Sequence, residues 1–291
     1  MHNAYIRAAV AAMLSVMLLA GCDTVNDAAQ KVRQDAHEVA QAAGDSVAGK
    51  VNGITDRMKS GGEHIERTAE REIGSESALR IDHKVGSISI VPGAGKTASV
   101  KTTIWFLNEK SYRSIAENAE TSLVAKNGKL EIVTNPIGDP GRDLWEWAES
   151  KYGYSEFLID YEIQVPEAIK SFDIANDVGG ITMNQLNGTY RVNNNVGTIV
   201  VEDAQLAGKS SIKSEAGSVQ IGISGMEKDS SLTAKTNVGS IHATLADTLA
   251  CTLKLDSDLG IISGGSRGKT DINGGGPQIT LSSSVGAISV E

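Results

Sequence analysis

Apolar and polar residues alternate through most of the second half of this chain, and one glycine punctuates the alternation at near-regular intervals. An apolar residue, three polar or small ones, a second apolar residue, a glycine, any residue and a β-branched apolar residue follow one another at residues 81–88. The same order returns at 174–181, 192–199, 212–219, 234–241, 255–262 and 281–288. The glycines are Gly86, Gly179, Gly197, Gly217, Gly239, Gly260 and Gly286, and the last six are 18, 20, 22, 21 and 26 residues apart. Such a recurrence predicts a solenoid, because one unit cannot bury its apolar face alone and stacked units can.

After each glycine the chain alternates, as in Ile181-Thr182-Met183 and Ile288-Ser289-Val290, which predicts a short strand with one buried face. The glycine suits a bend or a close backbone approach where a Cβ would be costly. Leu186-Asn187-Gly188, Leu206-Ala207-Gly208 and Ile223-Ser224-Gly225 add a second punctuation half a period away. The expectation is an all-β fold, a parallel β-solenoid with about 20 residues and two main strands per coil. Six coils would make a rod roughly 25–30 Å long. The coils should occupy residues 171–291. The sequence ends inside a strand at Ser289-Val290-Glu291, so this reading leaves an unpaired C-terminal edge, which invites a second chain.

The residue before each valine-glycine or equivalent pair is Asp177, Asn195, Glu215, Asn237, Asp258 and Ser284. Stacked in register they form an outward polar ladder, with acids on alternate rungs about 9–10 Å apart. That separation is near an inverting carboxylate pair, and the oxygens could also suit calcium. Alternating acid with amide is equally what a structural ladder needs to avoid like-charge repulsion, and that is the leading reading.

The beginning of the chain has a different texture. Arg7 precedes residues 8–20, apolar but for Ser15, and the run ends in Leu19-Ala20-Gly21-Cys22. It is too short to span a bilayer and fits an export signal over residues 1–21. Leu-Ala-Gly-Cys resembles a bacterial lipobox, which implies lipidation of Cys22 after cleavage; an ordinary secretory signal is the alternative. Asp23 resembles the residue that keeps many Gram-negative lipoproteins at the periplasmic face of the inner membrane. Residues 22–74 read as a polar, partly helical tether, with small apolar residues at helical spacing from Val25 through Ala36 and Val47 to Met58. Residues 63–72 read as a second charged helical stretch.

Residues 75–170 form a less regular first part of the β domain, with a helix predicted over 110–125, a hairpin at Asn127-Gly128 and an insert at 135–157. The insert holds a predicted helix from about Pro140 to Lys151 and the aromatics Trp145, Trp147, Tyr152 and Tyr154. These are candidate ligand-binding residues, beside Asp143, Glu146 and Glu149; the alternative is a plug for the open end of the solenoid. Tyr161-Glu162-Ile163-Gln164-Val165-Pro166, then residues 174–181 and the serial Val-Gly-Ser-Ile elements, resemble the putative adhesin family of bacterial β-helical domains, related to head-GIN domains. The resemblance covers roughly residues 76–291 and implies surface adhesion, with no catalytic residues attached to it.

Composition narrows the partners. The net charge of −9 argues against nucleic acid and anionic lipid surfaces. Cys22 and Cys251 are the two cysteines; with Cys22 lipidated, Cys251 reads as a small buried hydrophobe. The five histidines show no metal spacing, and neither a metal nor a cofactor is expected. The function expected is a lipid-anchored envelope protein with an adhesin-like binding or scaffolding domain and no catalysis. Its partners would be the membrane through Cys22, an envelope glycan or protein, and a second copy through the C-terminal edge or the tether. A polysaccharide-active enzyme and an envelope-stress accessory acting through its tether are the alternatives.

Overall fold

The computed structural model describes Thr55, residues 58–107 and residues 110–291. The signal at 1–21, the lipid attachment at Cys22 and almost all of the tether up to residue 54 lie outside the described residues. From there the chain is mostly β. It opens with β1 (Glu63–Glu72) and runs into β2 (Ala78–Val85) and β3 (Ile88–Pro92). An excursion follows through β4 (Thr97–Phe106), helix α1 (Lys110–Glu117), β5 (Ala119–Lys126), β6 (Lys129–Pro136), helix α2 (Leu144–Tyr152) and β7 (Phe157–Val165). Then come the pairs β8 (Ser171–Val178) and β9 (Ile181–Asn184), β10 (Asn187–Val196) and β11 (Ile199–Leu206), β12 (Lys209–Ala216) and β13 (Val219–Met226), β14 (Ser231–Val238) and β15 (Ile241–Leu245). The chain finishes with β16 (Cys251–Leu259), β17 (Ile262–Ser263), β18 (Gly268–Ile272), β19 (Gln278–Val285) and β20 (Ile288–Val290).

Each coil contributes one strand to each of two sheets. The first sheet runs β5–β6–β2–β8–β10–β12–β14–β19–β16–β18. The second runs β1–β4–β7–β3–β9–β11–β13–β15–β20–β17. Their interiors are parallel, and antiparallel pairs occur only at the ends. The result is solenoid-like. Ile81, Ile174, Val192, Ile212, Ala234, Leu281 and Leu255 form one inward row, all but excluded from water. Phe172 and Tyr190 stack in the next, with ring centres 5.4 Å apart.

Spatial order differs from sequence order at both ends. Ile81 lies directly beside Ile174, so residues 93–170 are an excursion that leaves the first coil and returns to build the cap on its outer side. At the far end Leu281 lies between Ala234 and Leu255, and Ile288 between Ile241 and Ile262. The last coil in sequence is therefore slotted between two earlier ones. This corrects the expected C-terminal edge: β20 is paired on both sides, and Glu291 N–H donates to Ala243 O at 2.9 Å. The edge belongs instead to β17 and β18. The long spacing between Gly260 and Gly286 is where the chain turns back, through Gly264, Gly268, Asn273, Gly274 and Gly275, all at positive φ.

The glycine column follows this spatial order. At Gly179, with φ 131°, a Cβ would collide with the carbonyl of Gly86, and the same relation links Gly197 to Gly179, Gly217 to Gly197, Gly239 to Gly217, Gly286 to Gly239 and Gly260 to Gly286. Three residues before each glycine sits a buried polar side chain: His83, Asn176, Asn194, Ser214, Thr236, Ser283 and Ser257. Asn176 donates to Gly86 O at 3.2 Å, Asn194 to Gly179 O at 2.9 Å, and Ser283 to Gly239 O at 3.2 Å. This inner ladder satisfies carbonyls that the corner turns out of the sheet, where an unmet acceptor would be costly.

One expected helix is a strand, and another gives way to a strand halfway. Residues 63–72 form β1, paired with β4 over its full length from Glu63 beside Phe106 to Glu72 beside Thr97. A free sheet edge satisfies the whole backbone of this charged stretch, and pairing overrides its local preference. The helix expected over 110–125 stops at Glu117, where Asn118 folds its side chain onto Ser114 O at 2.8 Å. Ile115, Ala119 and Leu123 are four apart, a step that fits a helical face and also the inward face of a strand. Ala119, Thr121 and Leu123 in fact point inward from β5.

Candidate functional site

The aromatic insert builds the cap on the excursion side. Asp143 caps α2, accepting from Glu146 N–H at 3.0 Å, and Gly153 closes it in the left-handed conformation. Its buried face is Leu144, Trp145 and Ala148. Trp145 is 8% exposed, lies parallel to Phe157 at 5.1 Å and meets His83 edge-on at 5.5 Å. As a ligand-facing residue Trp145 is thus corrected: it closes the core over the first rung of the inner ladder. His83 Nε2–H donates to Ile159 O at 2.8 Å, and burial lowers its pKa to about 4.

Trp147, Tyr152 and Tyr154 remain half-buried at the rim. Lys151 Nζ stands 4.6 Å from the ring centre of Trp147 and 5.3 Å from that of Tyr152. Tyr152 lies edge-on to Trp147 at 5.7 Å and 6.1 Å from Tyr154. The sequence reading missed the contribution of α1. Tyr112 packs at a tilt against Tyr154, with ring centres 4.7 Å apart, and donates to Glu156 at 2.9 Å, while Ser114 Oγ meets the Tyr152 hydroxyl at 3.2 Å. Nothing local to residues 110–117 signals that they reach the insert. Asp143 and Glu146 face elsewhere, towards Lys84 Nζ at 2.9 and 3.8 Å. The rim thus offers aromatic faces, hydroxyls and one cation, the groups that stack on and hydrogen-bond to a sugar or a peptide.

The outward ladder is present as amide–acid pairs. Asn195 donates to Asp177 at 2.7 Å and Asn237 to Glu215 at 2.6 Å. Asp177 is held above the usual carboxylate range by partial burial and then by Asp82, against the pull of Lys84 and Asn195. The regular alternation fails at its end. Because β19 enters between β14 and β16, Ser284 rather than Asp258 follows Asn237, and Asp258 is displaced by one rung. Each acid of the two pairs is separated from the next by an amide that bonds it, which is a structural arrangement.

A third cluster fixes the point where the tether joins. Asp160 accepts from Ser87 N–H at 2.8 Å and Trp105 Nε1–H at 2.9 Å, and pairs with Lys59 Nζ at 2.7 Å. Cys251 is buried, and burial followed by Asp271 raises its thiol pKa. Among the described residues no three of His, Cys, Asp and Glu converge as metal ligands, and no helix is long and apolar enough to cross a membrane.

Residues 160–267, from β7 to the loop before β18, match the sequence model of the Toastrack DUF4097 family. No curated protein matches the chain. Solved structures similar to it include a putative cell adhesion protein from Clostridium sporogenes, with 15% identity, 78% of this chain and 99% of that one covered, and a TM-score of 0.47. A putative adhesin from Bacteroides fragilis aligns at 12% identity over 78% and 97% of the two chains, with a TM-score of 0.34. A putative lipid binding protein from Parabacteroides distasonis aligns at 13% identity over 78% and 96%, with a TM-score of 0.27.

Proposed function

We propose that the chain is a lipid-anchored, non-catalytic binding module of the bacterial cell envelope, an adhesin-like parallel β-solenoid that presents its cap to a glycan or protein. The observation that carries this reading is the half-buried Trp147–Tyr152–Tyr154 rim under Lys151. Closing the core needs Trp145 and Phe157; the rim adds aromatic surface beyond that. Asp177 and Glu215 of the outward ladder are engaged by amides, which argues against their use as a hydrolytic pair. Cys22 would carry the lipid, Asp23 would favour the periplasmic face of the inner membrane, and the tether would end at Lys59 on Asp160.

A glycan and peptidoglycan binding screen on the full chain tests the rim, with bound ligand and released product read together. Binding without product, lost in Trp147→Ala with Tyr152→Ala while circular dichroism is unchanged, is the expected result. Product release would replace the reading with an enzyme. Fractionation tests the anchor: Cys22→Ala should move the protein from membrane to soluble fractions, and its retention on the membrane would remove the lipid from the account.

A further inference from the structure

The outward face of the first sheet, between β10 and β18, carries a track of unpaired cations. In register across the strands run Arg191, Ser211, Thr233, Thr280, Lys254 and Lys269, and the neighbouring row passes through Lys213, Lys235 and Ser282. Lys209 lies at the foot of β12. Two like-charge pairs stand directly opposite one another, Lys213 beside Lys235 and Lys254 beside Lys269. Such pairs destabilise a sheet. None of the six cations makes an ion pair with the described residues, although a dozen ion pairs form elsewhere in the domain.

The flanking carboxylates have other partners, two of them cations and two neutral donors. Asp173 is met by Lys129 at 3.4 Å, Glu215 by Asn237, Asp256 by Arg267 at 3.5 Å and Asp271 by Thr252 at 2.7 Å. In a chain of net charge −9, this face gathers six cations that have no carboxylate partner among the described residues and holds like charges together at a cost. Local choices that oppose stability mark a functional surface.

We infer that this track binds an acidic polysaccharide laid across the strands, its carboxylates against the lysines and its hydroxyls on the threonine and serine floor. From Arg191 to Lys269 the track spans five strand spacings, about 24 Å. Arg191 and Lys209 also line a cleft of about 410 Å³ that would receive one end of the polymer. The two rows contain no aliphatic or aromatic side chain to enter a bilayer, so a hydroxylated polymer fits them better than a lipid surface. This surface is separate from the aromatic rim and does not depend on it.

The test uses the full chain, polygalacturonate as the acidic probe, its methyl ester as the neutral one, and phosphatidylglycerol vesicles. The expected result is binding to polygalacturonate that weakens with salt, as exposed charge interactions do, and no binding to the ester. Lys213→Gln with Lys235→Gln should weaken it about tenfold with thermal stability unchanged or raised, and Trp147→Ala should leave it intact. Equal binding by the lysine variant, equal binding of the ester, absence of binding at low salt, or preference for the vesicles would each overturn the inference. Loss of binding in Trp147→Ala alone would reassign the polymer to the rim.

Discussion

The coils and the cap solve the same problem by different means. Between β8 and β15 each coil is covered by the next, so a short list of positions repeats: an inward aliphatic, a buried donor, an outward polar residue and a glycine. The cap has no next coil. It covers the first one with antiparallel strands, two short helices and large side chains, Phe106, Trp145, Phe157 and Tyr161 among them. Regular coils are thus interchangeable in their chemistry and leave function to their outward faces, whereas the cap is unique and can hold a shaped site. The far end shows a third solution, in which the last coil is inserted rather than added.

The largest effect should come from that insertion. Removing residues 277–291 takes out the coil that joins β14 and β15 to β16 and β17, and chemical denaturation should lose its single cooperative transition. Excising residues 251–276 removes only the outer coil and lets Ala246 to Ala250 run through Pro277 into β19, as the other coils connect; this variant should fold. If the truncation is the milder of the two, the spatial order is wrong.

Next in size is the glycine corner. Gly197→Ala puts a Cβ against Gly179 O at φ 129° and should cost about 3 kcal/mol or more, whereas Gly180→Ala meets nothing within 4 Å and should stay within about 0.5 kcal/mol. Thermal unfolding of the two variants checks this directly.

His83 adds a pH dependence peculiar to the cap. Its pKa is depressed from the ordinary 6.5 to about 4 by burial. The neutral ring's contribution is complete above pH 6.5, declines as the pH falls, and is lost by pH 4, in all about 3 kcal/mol. Urea titrations at pH 7 and pH 4.5 should show a smaller drop for His83→Phe than for the parent. Equal drops would mean that His83 is not held neutral.

Within the coils, Asn194→Ala removes the donor to Gly179 O and should cost about 1–3 kcal/mol. Ser214 Oγ has no partner on its corresponding rung, so Ser214→Ala should be nearly silent. Smallest of all, Asp177→Ala with Glu215→Ala touches exposed amide–acid pairs and should change stability by less than about 1 kcal/mol and binding at the aromatic rim not at all.

The coils were readable from residues 171–291 because the period repeats the same burial many times over. The outward ladder was readable for the same reason up to Asn237. Its failure at Asp258 was not, since strand order is set by which edge β19 enters, and only the long interval between Gly260 and Gly286 hints at a reversal. The inner ladder was hidden by chemistry: His83, Asn176, Thr236 and Ser283 share a hydrogen-bonding role but no residue type. In the cap, β5 escaped because a step of four satisfies both periods, and β1 because its pairing partner lies beyond the next coil in sequence. The rim was half visible as a cluster of aromatics. Sequence distance concealed Tyr112 and Ser114, and Trp145 could not be told from Trp147 until α2 showed which side was buried.

The central claim is that function lies in binding at exposed surfaces of a non-catalytic scaffold. The most direct test is one isothermal titration series on the full chain with neutral and acidic glycans, run alongside chromatography of the glycan recovered afterwards. Saturable binding with every glycan recovered intact, divided between the rim and lysine-track variants, is the predicted result. Shortened or modified glycan in the recovered material, abolished by Asp177→Ala with Glu215→Ala, would contradict it.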